Sequence, residues 1–355
     1  MRDHDPKHGW SRRQVIRAMT AAGVGTLLPA SGLVAQGNPR RIDVHHHPAM
    51  PGEGNPENPA TWTLPKAIEM MDKFRIETTI MSSPPNGAQA SDGTDKVRTV
   101  ARQFNEFAAK IVSDNPKRFG FFATIPYTDT EGSMRELEYA FGTLKADGVV
   151  LTSSFGNNKY AGDPAFDAVW QELNRRKVII FIHPVVPQCC RGVIPGGDNS
   201  VERDFDTTRT VTNLLYSGTL SKYPDIRYII NHAGAAVPVL AGRIKDRIPG
   251  FQTNGTWVEG RQLSNSDGKT DKIPNGVFYE LKKLYYEIAH ASYPAAMGAL
   301  TAFAPPSQYL FGTDFPAEPM ESTVDELPAS KLSPQVLQAL YRGNAEKLWP
   351  RFKSS

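Results

Sequence analysis

From residue 41 onward, the chain alternates between two patterns of hydrophobic positions. Short apolar runs rich in Ile, Val, Phe and Tyr are bounded by Gly, Pro, Asn or charged residues, which is typical of buried parallel strands. The longer segments between them repeat apolar residues every three or four positions, as amphipathic helices do. We predict eight strands, at Ile42–His46, Thr78–Ser82, Phe119–Ile125, Gly148–Thr152, Val178–His183, Ile226–His232, Leu284–Ala289 and Tyr309–Thr313.

The clearest helical pattern follows the third strand and places five apolar side chains on one face: Met134, Leu137, Ala140, Phe141 and Leu144. Two more helices are predicted over residues 95–112 and 164–176. Two insertions interrupt the alternation, 188–203 after the fifth strand and 251–276 after the sixth. Because eight strands alternate with helices, we predict an α/β fold, a (β/α)8 TIM barrel, rather than an open sheet.

The first 36 residues follow a different pattern, and we predict that the barrel domain spans residues 37–355. The pair Arg12-Arg13 precedes an uncharged, mildly apolar run from Ala18 to Gln36. This is typical of a bacterial twin-arginine signal peptide, which is cleaved on export. A single-pass anchor is the alternative, but three glycines and a proline within residues 23–32 make the run a poor spanning helix. We therefore expect a periplasmic protein without a stable membrane anchor.

The charge balance changes once that segment is removed. The full chain of 355 residues carries 40 Lys and Arg against 37 Asp and Glu. Residues 1–36 hold five of the basic and two of the acidic residues, so the remainder has 35 of each. The excess positive charge therefore belongs to the signal and does not indicate a nucleic-acid partner. The two cysteines, Cys189 and Cys190, are adjacent and cannot link distant segments.

Side chains of the kinds that bind metals stand at the ends of four predicted strands. His45 and His47 are two apart at the end of the first strand and therefore share a face. His183 ends the fifth strand, His232 ends the sixth and Asp314 follows the eighth. Any one of them alone could be a packed histidine or a helix-capping aspartate. Because the carboxyl ends of barrel strands converge on one mouth, the set together predicts a metal site there.

This arrangement resembles the amidohydrolase superfamily, which carries His-x-His on strand one, single histidines on strands five and six, and an aspartate on strand eight. The flanking sequence is similar to the metal-dependent decarboxylase branch, which includes aminocarboxymuconate-semialdehyde, γ-resorcylate and 6-methylsalicylate decarboxylases. The resemblance extends over nearly the whole mature chain, in the segments 42–48, 117–126, 163–184, 207–218, 231–243 and 310–316.

The resemblance implies one divalent metal ion, zinc or manganese. The fourth strand, Gly148–Thr152, offers neither the lysine nor the glutamate that bridges two metals in binuclear relatives. The ion would then be held by four side chains, with positions left for water and substrate: His45, His47, His183 and Asp314. His232 would act beside the metal or serve as a further ligand.

The resemblance also implies non-oxidative decarboxylation of an aromatic, hydroxybenzoate-like or conjugated unsaturated carboxylic acid. Direct loss of CO2 from an sp2 carbon would leave an unstable carbanion, so a nearby acid, Asp314 or His232, must protonate that carbon. Arg243 matches an arginine that some relatives place on the substrate carboxylate from a neighbouring subunit, which implies a homodimer. His290 departs from the small or apolar residue usual after strand seven. It could reach the pocket mouth, but a bystander role is favoured.

Two other functions stay open from the sequence. A hydrolase of an ester, lactone or amide could use the same metal to activate water, with Asp314 or His232 as the base. A non-catalytic periplasmic metal or ligand binder is the second alternative, although the complete ligand set argues against it. Release of CO2 would identify a decarboxylase, whereas two fragments or an opened ring would identify a hydrolase.

Overall fold

The fold is described here from a computed structural model of the chain. It describes residues 40–50, 62–83, 95–155, 159–248, 252–253, 256–257 and 267–353. The predicted signal segment and part of the second predicted insertion lie outside these residues. Among the helices in the described ranges, none combines the length and the apolar character that a membrane span requires.

Eight parallel strands form one sheet, in the order β1, β2, β3, β4, β7, β8, β11 and β12. Backbone bridges from Asp43 to Phe311 and from His46 to Phe315 join the two edges, so the sheet closes on itself. The predicted TIM barrel is therefore confirmed. Two short antiparallel pairs, β5 with β6 and β9 with β10, lie outside the barrel. The described strands are β1 (Arg41–His46), β2 (Ile76–Met81), β3 (Phe119–Thr124), β4 (Gly148–Thr152), β5 (Ser154–Phe155), β6 (Lys159–Tyr160), β7 (Ile179–His183), β8 (Arg227–Ile230), β9 (Gln252–Thr253), β10 (Thr256–Trp257), β11 (Tyr285–Glu287) and β12 (Tyr309–Leu310).

Helices connect the strands along the outside of the barrel. Thr63 and Asp129 cap the first and third of them by accepting hydrogen bonds from backbone N–H groups. The helices predicted at 95–112 and 164–176 are confirmed as Asp95–Asp114 (α2) and Asp167–Arg175 (α4). The described helices are α1 (Leu64–Lys73), α2 (Asp95–Asp114), α3 (Thr130–Gly142), α4 (Asp167–Arg175), α5 (Asp198–Tyr216), α6 (Thr219–Lys222), α7 (Val237–Asp246), α8 (Val277–Lys282), α9 (Pro294–Phe303), α10 (Met320–Glu326), α11 (Pro334–Gln338) and α12 (Asn344–Leu348).

Alternate strand residues divide the core into two layers. One layer lies between the sheet and the surrounding helices, and the other fills the barrel interior. Trp349 closes the interior from below, where its Nε1 donates to the carbonyl of Asp147, just before β4 begins. Apolar packing therefore fills the bottom of the barrel, and polar side chains occupy the opposite, carboxyl-terminal mouth. The interior layer includes Ile42, Val44, Ile80, Phe122, Val150, Phe181, Ile229 and Leu310.

Two segments differ from the predicted elements. The sixth barrel strand, β8, ends at Ile230, and His232 opens a 3-10 turn in which its φ is 50°. The prediction that His232 ends the strand was therefore wrong, because the backbone enters the left-handed region at this residue. The first insertion is also partly helical, since α5 begins at Asp198 within it.

Candidate metal centre

Three imidazoles and one carboxylate meet at the barrel mouth. His45 Nε2 lies 3.1 Å from His47 Nε2, which in turn lies 3.0 Å from His183 Nε2. Asp314 Oδ1 lies 2.9 Å from His47 Nε2 and 3.2 Å from His45 Nε2. One ligand atom from each residue can be chosen so that all four lie within 4.8 Å of one another. The structure thus brings together the four side chains that the sequence suggested as metal ligands.

The outer nitrogens of two rings fix which atoms can bind a cation. His45 Nδ1 lies 3.0 Å from a carboxylate oxygen of Glu287, and His47 Nδ1 lies 2.9 Å from the carbonyl oxygen of Ser82. These oxygens only accept, so both Nδ1 atoms donate, and in the neutral rings both Nε2 atoms carry a lone pair. Two such lone pairs 3.1 Å apart repel one another unless a proton or another cation lies between them. A cation held between them and the carboxylate of Asp314 relieves that repulsion, so the donor set fits a divalent metal.

Asp314 reaches this cluster because the ends of β1 and β12 are tied together. The backbone N–H of Asp314 donates to the carbonyl of His45 at 2.8 Å, with φ of Asp314 at 60°. The carboxylate of Asp43 accepts from the backbone N–H of Thr313 at 3.0 Å and from its hydroxyl at 2.7 Å. It also accepts from the backbone N–H of His45 at 3.1 Å. Asp43 therefore fixes two ligand-bearing segments relative to each other.

Glu287, on β11, supports the centre from behind. Its fully buried carboxylate accepts from His45 Nδ1, from the backbone N–H of His232 at 2.8 Å and from that of Ala289 at 2.7 Å. Gly312 makes room for it, because a Cβ at that position would collide with Glu287 Oε2. The sequence analysis missed Glu287, although an acidic residue inside a predicted buried strand signals that a partner must be present.

The carboxylates at the site favour the binding of a cation. Burial by itself would lower the pKa of His45, but the carboxylates of Asp314 and Glu287 outweigh burial and raise that pKa to about 10. Burial also opposes ionisation of Asp314, yet His45 and His290 hold the pKa of this carboxyl well below its usual range. Buried carboxylates that stay ionised need positive charge beside them, which a divalent metal supplies.

His232 lies beside the four ligands. Its Nδ1 is 2.7 Å from Asp204 Oδ1 on α5, and its ring stacks on that of His45 with the centroids 5.8 Å apart. Within the described part of the chain, its buried Nε2 has no hydrogen-bond partner. Asp204 therefore orients the ring and leaves Nε2 available to a substrate. The sequence analysis did not single out Asp204, which is far from His232 along the chain.

His290 contacts the centre more closely than the favoured bystander interpretation expected. Its Nε2 lies 2.8 Å from Asp314 Oδ2, and its ring centroid lies 4.6 Å from that of His232. Burial would lower the pKa of His290, but the carboxylate of Asp314 outweighs burial and raises it. Arg243, by contrast, is exposed on α7.

The chain is similar to known proteins over most of its length. An amidohydrolase family profile matches residues 42–351. A 6-methylsalicylic acid decarboxylase of Penicillium expansum is 33% identical over 331 residues, which cover 88% of this chain and 97% of that enzyme. The 5-carboxyvanillate decarboxylase of Sphingomonas paucimobilis superposes with a TM-score of 0.74 at 19% identity, covering 88% and 99% of the two chains. A dihydroxybenzoic acid decarboxylase of Polaromonas sp. JS666, solved with bound manganese and the inhibitor 2-nitroresorcinol, superposes with a TM-score of 0.73 at 21% identity, covering 88% and 98%.

Proposed function

The chain belongs to the amidohydrolase family, and from this premise we propose that it is a metal-dependent carboxy-lyase acting on an aromatic, hydroxybenzoate-like carboxylic acid. The observation that carries the proposal is the match to 6-methylsalicylic acid decarboxylase, which extends over 97% of that enzyme. A match of that extent supports decarboxylation over the hydrolysis of an ester, lactone or amide.

We assign one divalent metal to the four-residue cluster at the barrel mouth. The manganese of the Polaromonas enzyme makes Mn²⁺ the first ion to test, with Zn²⁺ beside it. When bound, such an ion orients the substrate and stabilises negative charge that develops on it. Its ligands would be His45, His47, His183 and Asp314.

His232 and Asp314 are the groups that can manage the proton that replaces CO2. Asp314 Oδ1 lies beside two ligand nitrogens and Oδ2 is hydrogen-bonded to His290, whereas His232 Nε2 has no partner among the described residues. Asp204 holds the opposite ring nitrogen and so keeps Nε2 as the exchanging atom. We propose that His232 Nε2 gives the proton to the ring carbon and that Asp314 remains with the metal.

The export route and the oligomeric state are further parts of the proposal. We propose that residues 1–36 direct twin-arginine export to the periplasm and that residues 37–355 are the mature barrel domain. The Arg12-Arg13 pair supports this route. We also propose a homodimer in which Arg243 reaches the neighbouring site, because an exposed arginine on an outer helix is open to a partner.

The test is a substrate screen on the mature protein. The protein is loaded with Mn²⁺ or Zn²⁺ and incubated with 6-methylsalicylate, dihydroxybenzoates, 5-carboxyvanillate and muconates. We expect release of one CO2 for each molecule of product that lacks the carboxylate. Chelated protein and His183→Ala serve as controls. Cleavage of aryl esters or lactones without any CO2 from the acids would support the hydrolase instead.

Mixing two inactive variants tests the dimer. Arg243→Ala and His183→Ala, each nearly inactive alone, would form one site with both an intact metal centre and a donated arginine after subunit exchange. Partial recovery of activity is the expected result. Proven heterodimers without recovery would show that Arg243 serves no neighbouring site.

A further inference from the structure

A cavity of about 470 Å³ is lined by segments that lie close along the chain to residues of the metal centre. This volume is within the range of small-molecule sites, which span about 300–1,000 Å³. One wall begins at Val185, two residues after His183. Another wall includes Arg203. The next residue along the chain is Asp204, whose carboxylate contacts His232 Nδ1. The cavity walls therefore belong to two segments, one that carries the metal ligand His183 and one that carries Asp204, the hydrogen-bond partner of His232.

Asp198 and Arg203, two of the charged side chains that line this cavity, differ in their pairing. The carboxylate of Asp198 accepts from the backbone N–H groups of Gly192, at 2.6 Å, and Ile194, at 3.3 Å. Among the described residues, the buried Nε of Arg203 has no hydrogen-bond partner. A buried guanidinium nitrogen without an acceptor is costly, since polar groups removed from water are normally paired. The chemical partner that it lacks is an anion or another acceptor.

The lining of the cavity is apolar as well as charged. The guanidinium of Arg203 belongs to the same cavity as the side chains of Val185 and Val186. Together these features suit a flat apolar ring that carries an anionic group.

We propose that Arg203 binds the carboxylate of the substrate within its own subunit. This assignment rests on the proposed function, because it identifies the group that recognises the acid at the same site. A guanidinium pairs with a carboxylate through two parallel N–H···O bonds, which orients a planar acid as well as attracting it. Arg203 needs no neighbouring subunit for this role, whereas Arg243 would act only across a dimer interface.

The expected kinetic effect is on binding. A cation paired with the carboxylate stabilises the bound acid, and the carboxylate loses its charge as it leaves as CO2. Removal of the cation therefore raises KM more than it lowers kcat. Loss of a charged hydrogen-bonded pair should weaken acid binding roughly ten- to a hundredfold. The metal content should stay unchanged, because Arg203 is not one of the four ligands.

The experiment compares an acid with its uncharged amide. Salicylate and salicylamide are titrated calorimetrically into the mature protein, metal-free and Mn²⁺-loaded, for the wild type, Arg203→Gln, Arg203→Lys and Arg209→Gln. Arg209 is the matched control, because it is an exposed arginine on the same helix. We expect Arg203→Gln to lose at least about tenfold for salicylate and little for salicylamide. Arg203→Lys should lose less, and Arg209→Gln should behave like the wild type.

Three results would overturn the assignment: a wild type that binds the acid no better than the amide, equal losses for both probes in Arg203→Gln, or no loss at all. If Arg203→Gln does not fold, Arg203→Lys carries the same comparison, with a several-fold loss for the acid alone as the supporting result. The proposed function fails separately, if the wild type releases no CO2 from any acid. The binding comparison still decides the role of Arg203 in that case.

Discussion

The two sides of the barrel mouth are built differently. The ligand side consists of His45, His47, His183 and Asp314. The outer nitrogens of His45 and His47 are held there by a buried carboxylate and a backbone carbonyl. On the proton side, formed by His232, His290 and Asp204, the side chains of His290 and Asp204 are 34% and 43% exposed. Buried partners fix atoms in place, whereas access to solvent lets protons enter and leave. The difference indicates that one side holds the metal and the other exchanges protons.

The largest effect should come from breaking the ligand side. We expect His45→Ala, His183→Ala or Asp314→Ala to abolish metal binding and activity together, beyond the roughly 10- to 100-fold losses typical of outer partners. The reason is that each change removes one of four donors from a set that leaves positions for substrate. Elemental analysis and CO2 release are the two measurements. Activity that persists in a metal-free variant would contradict the division into two sides.

A substitution on the proton side should separate activity from metal content. We expect His232→Asn to lower kcat by about 10²–10⁴, the range for loss of a general acid or base, while the protein keeps its metal. Asp204→Asn should lower kcat less, since the amide oxygen can still accept from His232 Nδ1 and orient the ring, although more weakly than a carboxylate. If His232→Asn emptied the metal site, the residue would belong to the ligand side.

The third substitution tests whether the ligand side depends on its outer carboxylate. Glu287→Gln should weaken Mn²⁺ affinity about 10- to 100-fold, because the amide is a weaker acceptor for His45 Nδ1. Glu280→Gln is the matched control, a buried carboxylate that contacts Ser221 and Lys283. Competition with a chelator of known affinity measures the change. Similar losses in both variants would point to general destabilisation of the barrel instead.

The same contrast explains what the sequence could predict. Short apolar runs and helical patterns predicted the strands and several helices, and the convergence of strand ends placed His45, His47 and His183 in one mouth. Those ligands sit at or next to the ends of regular strands, so the spacing of residues determines their direction. The barrel fold and the ligand cluster could therefore be inferred from local patterns.

The strand ends also predicted His232 and Asp314 as site residues, but not the backbone conformations and contacts that hold them. His232, His290 and Asp314 all have φ between 50° and 60°, values that non-glycine residues adopt rarely and that a sequence pattern does not reveal. The contacts from Glu287 to His45 and from Asp204 to His232 join residues 242 and 28 positions apart. Only the closed sheet and the helix packed on it bring such pairs together.

His290 gives the smallest effect and the sharpest test, because it lies between the two sides. It donates to Asp314 Oδ2 from a ring that also packs edge-on against His232. Asn is the informative replacement, since it tolerates the left-handed backbone at this position (φ 55°) and removes the ring without adding strain. A partly exposed hydrogen bond to a carboxylate is worth about 1 kcal/mol, so kcat should fall roughly fivefold.

The metal content decides how that loss is interpreted. If His290 serves the proton side, His290→Asn should lower kcat with Mn²⁺ affinity unchanged, and His290→Gln, whose longer amide can still donate to Asp314, should recover part of the rate. If His290 serves the ligand side, affinity should fall together with kcat, because Asp314 would lose the donor that orients its carboxylate. Unchanged kcat in both variants would restore the bystander role. The contact with Asp314 would then be a consequence of packing, and the proton side would consist of His232 and Asp204 alone.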